Sequence, residues 1–85
     1  MPNNRHKHKE LYRCLGEVIT HRRKRLGLSQ EELSEASGVD RSFLSSVERG
    51  KRNPSFGTVA SIASGLKMRY TRLVSNCEEC ASKAS

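Results

Sequence analysis

The chain has no tryptophan, and hydrophobic residues make up only 34% of its 85 positions. No apolar run approaches the roughly 18 residues needed to cross a bilayer, so no transmembrane helix is expected. The opening stretch Met1 to Lys9 (MPNNRHKHK) is polar and basic with no hydrophobic segment behind it. The expectation is therefore no secretory signal and a cytosolic protein. There is no internal repeat and no linker long enough to divide domains. Nothing resembles a phosphate-binding glycine loop, a metal-ligand set or a nucleophile–base pair, which predicts a protein that is not an enzyme. A chain this short makes one small domain with a modest core. Several short helices are the simplest way to build it, and a second copy would add buried area.

What the chain does have is positive charge, +7 net with a pI near 9.8. The charge is uneven: eight of the sixteen Lys and Arg precede Leu28, against only Glu10 and Glu17, whereas the remainder is nearly balanced. A small basic chain favours a polyanionic partner, either nucleic acid or a membrane surface.

Residues 1–9 read as a flexible basic arm, residues 10–76 as the folded domain and residues 77–85 as a tail that frays. His6 and His8 lie close together but lack further ligand partners, so no metal site is expected there. Leu11, Leu15, Val18, Ile19 and Leu26 recur at helical spacing and predict a first helix from about Lys9 to Leu26. Arg22 to Arg25 sit at its C-terminal end, where cations are favoured, and Gly27 ends it.

Ser29 as N-cap with Glu32 three residues later forms a capping box for a second helix, Gln30 to Ser37. Leu33 and Ala36 are expected to face inward, and Ser34 supplies the small side chain needed beside the third helix. Gly38 stops the second helix by taking left-handed backbone angles. Asp40 then caps a third helix from Arg41 to about Arg49. Two helices joined this tightly cross steeply, the arrangement of a helix-turn-helix whose second helix can enter the DNA major groove. Leu44 and Val47 face the core, which leaves Arg41, Ser42, Ser45, Ser46 and Arg49 on the outer face. Small serines permit close approach, and arginine can bond guanine O6 and N7 together.

Pro54 and the cap Ser55 open a fourth helix to about Ser64, with Phe56, Val59, Ile62, Ala63 and Leu66 as its buried stripe. Met68, Leu73 and Val74 suggest a fifth helix from about Tyr70 to Cys80. The fold class is all-α.

Gly38-Val39, Leu44-Ser45 and the run from Val47 to Ser55 (VERGKRNPS) resemble the lambda-repressor-like family, the Cro/C1 or XRE type of bacterial and phage regulators. The similarity covers about residues 14–75. Within that family, Asp40-Arg41-Ser42-Phe43 looks most like the small controller proteins of restriction–modification systems. The resemblance implies a compact five-helix domain with helix-turn-helix at helices 2 and 3. It also implies a homodimer on a roughly palindromic operator of double-stranded DNA, with RNA polymerase as a further contact and no small-molecule ligand. By the same resemblance Arg41, Ser42, Ser45 and Ser46 read bases. Gln30, Phe43, Arg49, Lys51, Arg52 and Asn53 approach the DNA backbone, with Phe43 in place of a common tyrosine. Arg23 and Glu48 match a partly buried salt bridge between helices 1 and 3. Leu66, Met68, Leu73 and Val74 are the candidates for the dimer interface.

Cys77-Glu78-Glu79-Cys80 is a C-x-x-C, and Cys14 lies far off in sequence. Such a pair can hold zinc or form a disulfide, but two ligands do not close a zinc site. The expectation is an incidental pair near a fraying end, with redox or metal sensing, or a disulfide formed on handling, as the alternatives, and no cofactor. The functional expectation is a sequence-specific transcriptional regulator, with an autoregulating controller that switches with dimer concentration as its narrower form. The competing reading is a protein-interaction module of the same fold, bridging-factor-like or antitoxin-like.

Overall fold

The structure, a computed structural model, describes residues 5–84. Among them are five helices and no strand: α1 Arg5–Arg25, α2 Gln30–Ser37, α3 Arg41–Glu48, α4 Phe56–Gly65 and α5 Tyr70–Ala84. The long helices α1 and α5 pack together. The three short helices form the other part of the molecule, with α2 between α3 and α4, and α1 also crosses α3. One core unites them, built from Leu15 and Ile19 of α1, Leu33 of α2, Leu44 and Val47 of α3, Val59, Ile62 and Ala63 of α4, Leu66, and Leu73 and Cys77 of α5. Each fully buried aliphatic side chain in such a core contributes about 1.5–3 kcal/mol.

The approach of α1 to α3 depends on Gly16. A Cβ built there would lie 2.4 Å from the Glu48 carbonyl oxygen and 2.7 Å from that of Val47. Any side chain would push the two helices apart.

Both ends differ from the sequence expectation. α1 begins at Arg5, so residues 5–9, expected in a flexible arm, are helical, while residues 1–4 lie outside the described residues. α5 runs on to Ala84 through the expected tail. The reason is anchorage: Cys77 is buried in the core, and Cys80 is joined by a disulfide to Cys14 of α1, with Cα atoms 5.8 Å apart. The incidental C-x-x-C pair is thereby corrected. Cys77 is a free thiol, and the partner of Cys80 is 66 residues away.

Three apolar side chains placed on inward stripes lie outside. Phe56 is 74% exposed and rests against the Tyr70 ring at 4.6 Å, Leu11 is 36% exposed, and Ala36 is exposed. Phe56 is the first residue of α4, and the buried residues of that helix begin one turn later at Val59.

Candidate nucleic-acid interface

Local hydrogen bonds set the turn between α2 and α3. Gly38 has φ 75° and ψ 12°, left-handed angles that glycine adopts without a Cβ clash, and its N–H donates to the Ser34 carbonyl at 2.8 Å. The Ser34 hydroxyl donates to the Val39 carbonyl at 2.5 Å, so its role includes bonding the turn as well as being small. The Val39 N–H donates to Ser37 Oγ at 3.2 Å, and Asp40 accepts from the Phe43 N–H at 3.1 Å to cap α3. Burial of Leu44 and Val47 then decides which face of α3 is left outside.

That outer face carries Arg41 and Ser42, both exposed, with Ser45 and Ser46 half-buried beside them. Arg49 is exposed, and its Nη2 reaches Ser46 Oγ at 3.4 Å. The following loop places Lys51, Arg52 and Asn53 in solvent. The Arg52 guanidinium carbon sits 5.6 Å from the centroid of the half-buried Phe43 ring, a cation–π contact that holds the two together. Asp40 is the acid within this strip, and its carboxylate is engaged as the helix cap. The strip formed by Arg41, Arg49, Lys51 and Arg52 is therefore basic along its length.

Behind the strip lies a polar node centred on Glu48. Its Oε2 accepts from Arg23 Nε at 2.8 Å. Its Oε1 accepts from Arg23 Nη2 at 3.0 Å, Thr20 Oγ1 at 2.9 Å and Gln30 Nε2 at 3.1 Å. The Arg23 and Glu48 side chains are 11% and 5% exposed. The remaining Arg23 nitrogen, Nη1, donates to the Leu28 carbonyl at 2.8 Å. Burial works to raise the Glu48 carboxyl. The hydrogen bonds from Arg23, Gln30 and Thr20, with the Arg23 charge, outweigh it and hold the group below its ordinary value. The node ties the end of α3 to α1 and to the start of α2, which fixes the tilt of the exposed face. It also engages one amide proton of Gln30, the side chain expected to meet a phosphate. Gln30 nevertheless stands first in α2, at a helix N-terminus suited to an anion.

Thr20 escaped the sequence reading. Its signal was its place one turn before Arg23, on the same face of α1. The basic end of α1 also divides in a way that sequence did not show. Arg22 is taken up inside the protein, where Nε donates to the Leu66 carbonyl at 3.0 Å and Nη2 to the Lys67 carbonyl at 3.2 Å. These bonds brace Lys67, a non-glycine residue with φ 55°. Lys24 and Arg25 remain exposed.

Of the four residues expected at a dimer interface, Leu66 and Leu73 are fully buried within one chain and offer no surface to a second copy. Both belong to the core cluster, a packing role that helical spacing does not distinguish from an interface role. Met68 is half-buried, and Val74 is 40% exposed. Among the described residues, no helix is long and apolar enough to cross a membrane.

Comparison with known proteins agrees with this geometry. The helix-turn-helix family model matches residues 19–73. The HTH-type transcriptional regulator y4dJ of Sinorhizobium fredii is 34% identical over 70 residues, covering 82% of this chain and 91% of the relative. The control protein C.SmaI of Serratia marcescens is 34% identical over 65 residues, 76% of this chain and 77% of that protein. Among solved structures, the restriction–modification controller protein C.AhdI from Aeromonas hydrophila superposes with a TM-score of 0.71 at 37% identity. That match covers 73% of this chain and 94% of the other.

Proposed function

The chain belongs to the helix-turn-helix family of Cro/C1 (XRE) type and is a DNA-binding transcriptional regulator, not an enzyme; from that premise we propose how it reads its operator. α3 lies in the major groove. Arg41 and Ser42 at its start, with Ser45 and Ser46 one turn on, meet base edges. Arg49, Lys51, Arg52 and Asn53 lie along the backbone with the N-terminus of α2 at Gln30, and Phe43 packs on sugar or a thymine methyl. The single observation behind this reading is the outward face of α3: small hydroxyls flanked by basic side chains, held rigidly from behind by the Glu48 node. Backbone contacts would supply salt-dependent affinity. Each good bidentate base contact would supply about 1–3 kcal/mol of discrimination.

We further propose that two copies act together in the cytoplasm on a roughly palindromic operator. The apolar residues left on the surface, Phe56 and Val74 with Leu11 nearby, are better candidates for the interface than Leu66 or Leu73. The named similarity to controller proteins supports an autoregulating controller, one that covers or activates its own promoter and touches RNA polymerase beside it. Selection of bound sequences from a random DNA pool at about 150 mM salt tests the reading. The expected result is a two-fold motif with half-sites about one helical turn apart. Binding without an enriched motif, fading as salt rises, would mean that α3 does not read sequence.

A further inference from the structure

A groove of about 850 Å³ runs between the C-terminal half of α1 and the face of α5 from Arg72 to Cys80, on residues separate from the proposed base-reading strip. Arg22, Arg25, Lys67, Arg69 and Arg72 line it, with Glu17 as the acid among the lining residues. Arg22 is engaged by backbone carbonyls. Among the described residues, Arg25, Lys67, Arg69 and Arg72 have no ion-pair partner. The groove is therefore a pool of uncompensated positive charge, and Cys80 lines its wall.

The disulfide sits across this wall. Cys80 is partly exposed to the groove, whereas Cys14 is fully buried behind it. An incoming sulfur can therefore reach only the Cys80 side. Cys14 Sγ lies 3.7 Å from Arg13 Nη2, which donates to it. Arg13 is itself held by Glu10 and Glu17, which fix its position beside the sulfur. Cys77, one turn away on α5, is buried in the core as a free thiol that burial pushes up to about 11, and the sulfur that meets Cys80 is that of Cys14.

We propose that Cys80 is a thiol–disulfide exchange site, resolved by Cys14, whose basic groove selects small anionic thiols and disulfides. In the oxidising direction the Cys80 thiolate attacks one sulfur of a small disulfide, forms a mixed disulfide and expels a thiolate. Cys14 thiolate then attacks Cys80 Sγ, forms the protein disulfide and expels the second thiolate. Two protein thiols lose two electrons and two protons, and the small disulfide becomes two thiols. Reduction runs the same bonds backward, with attack at Cys80 and Cys14 leaving beside Arg13. The proposal stands apart from the DNA-binding reading, since neither the groove nor the sulfurs belong to the base-reading strip.

The test uses the full-length reduced protein with glutathione disulfide, which is anionic, and cystamine, which is cationic, at low ionic strength. Exchange is followed by free-thiol count and by mass, and the linkage by peptide mapping. The expected result is a transient adduct on Cys80 followed by a Cys14–Cys80 link. The anionic reagent should be about tenfold faster or more, an advantage that collapses at high salt. Arg69→Glu with Arg72→Glu, both exposed positions, should remove or invert the preference. Cys80→Ser, also at a partly exposed position, should abolish exchange. A Cys77–Cys80 or Cys14–Cys77 link, equal rates for the two reagents, or no link formed in a protein that keeps its helical spectrum would each overturn the proposal.

Discussion

Replacing Glu48 with alanine should destabilise this protein strongly, although Glu48 belongs to a helix whose other face is exposed. Glu48 is 5% exposed and receives four hydrogen bonds: two from Arg23 and one each from Thr20 and Gln30. Truncation leaves the Arg23 guanidinium, 11% exposed, with only the Leu28 carbonyl as a hydrogen-bond partner. Removing one member of such a pair costs about 3–5 kcal/mol, because the remaining charge stays desolvated. A domain of 85 residues has about 4–13 kcal/mol in all, at 0.05–0.15 kcal/mol per residue. At about 4–8 °C per kcal/mol the melting temperature should fall by about 12–40 °C. Glu48→Gln keeps the shape and an acceptor oxygen but loses the charge, so its loss should be smaller, about 1.5–3 kcal/mol. The double replacement Arg23→Met with Glu48→Leu removes both charges and should recover much of what Glu48→Ala loses. Urea melts of the four proteins, read as a double-mutant cycle, measure this. If Glu48→Ala lies within about 1 kcal/mol of the parent, the node does not anchor α3 and the reasoning is refuted.

The remaining expectations concern the same packing and the same face. Because the folded Glu48 carboxyl lies below its unfolded value of about 4.3, the unfolded state binds more protons in the interval between them. Its contribution should be complete above about pH 5 and disappear as pH falls through the folded value. Acid titration of stability should therefore be shallower in Glu48→Gln. Gly16→Ala should cost about 1–3 kcal/mol or more, since its Cβ meets two carbonyl oxygens of α3 at 2.4 and 2.7 Å; an unchanged melt would show that the helices can shift freely. Arg41→Ala should weaken specific binding by about 1–3 kcal/mol and relax one operator position. Lys51→Ala should weaken all sequences alike and lower the salt slope by about 1, both read by titration of labelled DNA across a salt series. Phe56→Ser, at a 74% exposed position, should leave the monomer's melt within about 1 kcal/mol while weakening self-association in sedimentation. Undiminished dimer would clear that face of an interface role.

Much of the architecture follows from residues that act locally. The capping box at Ser29 and Glu32, the left-handed glycine at position 38 and the Asp40 cap are chemical statements about neighbours in the chain, and each stands in the structure as such. Helical spacing likewise separated Leu44 and Val47 from Arg41, Ser42 and Arg49, because a period of 3.6 residues makes face a property of sequence. What local rules do not encode is how far a helix face extends before the core ends. Phe56 and Leu11 have the spacing of core residues but stand at its edge, Phe56 meeting the Tyr70 ring on one side, while Leu66 and Leu73 have the character of interface residues and are enclosed.

The partners of polar groups were likewise settled in three dimensions. Arg22, Arg23, Lys24 and Arg25 look alike in sequence, yet the first braces the α4–α5 turn, the second serves Glu48, and the last two remain free to solvent. The cysteines make the same point most sharply: Cys77 and Cys80, three residues apart, have different fates, because the α1–α5 packing carries Cys14 across 66 residues to one of them and buries the other. Sequence decides what lies within a few turns of a residue. Only the packing of distant helices decides which charge, ring or sulfur meets it from the other side.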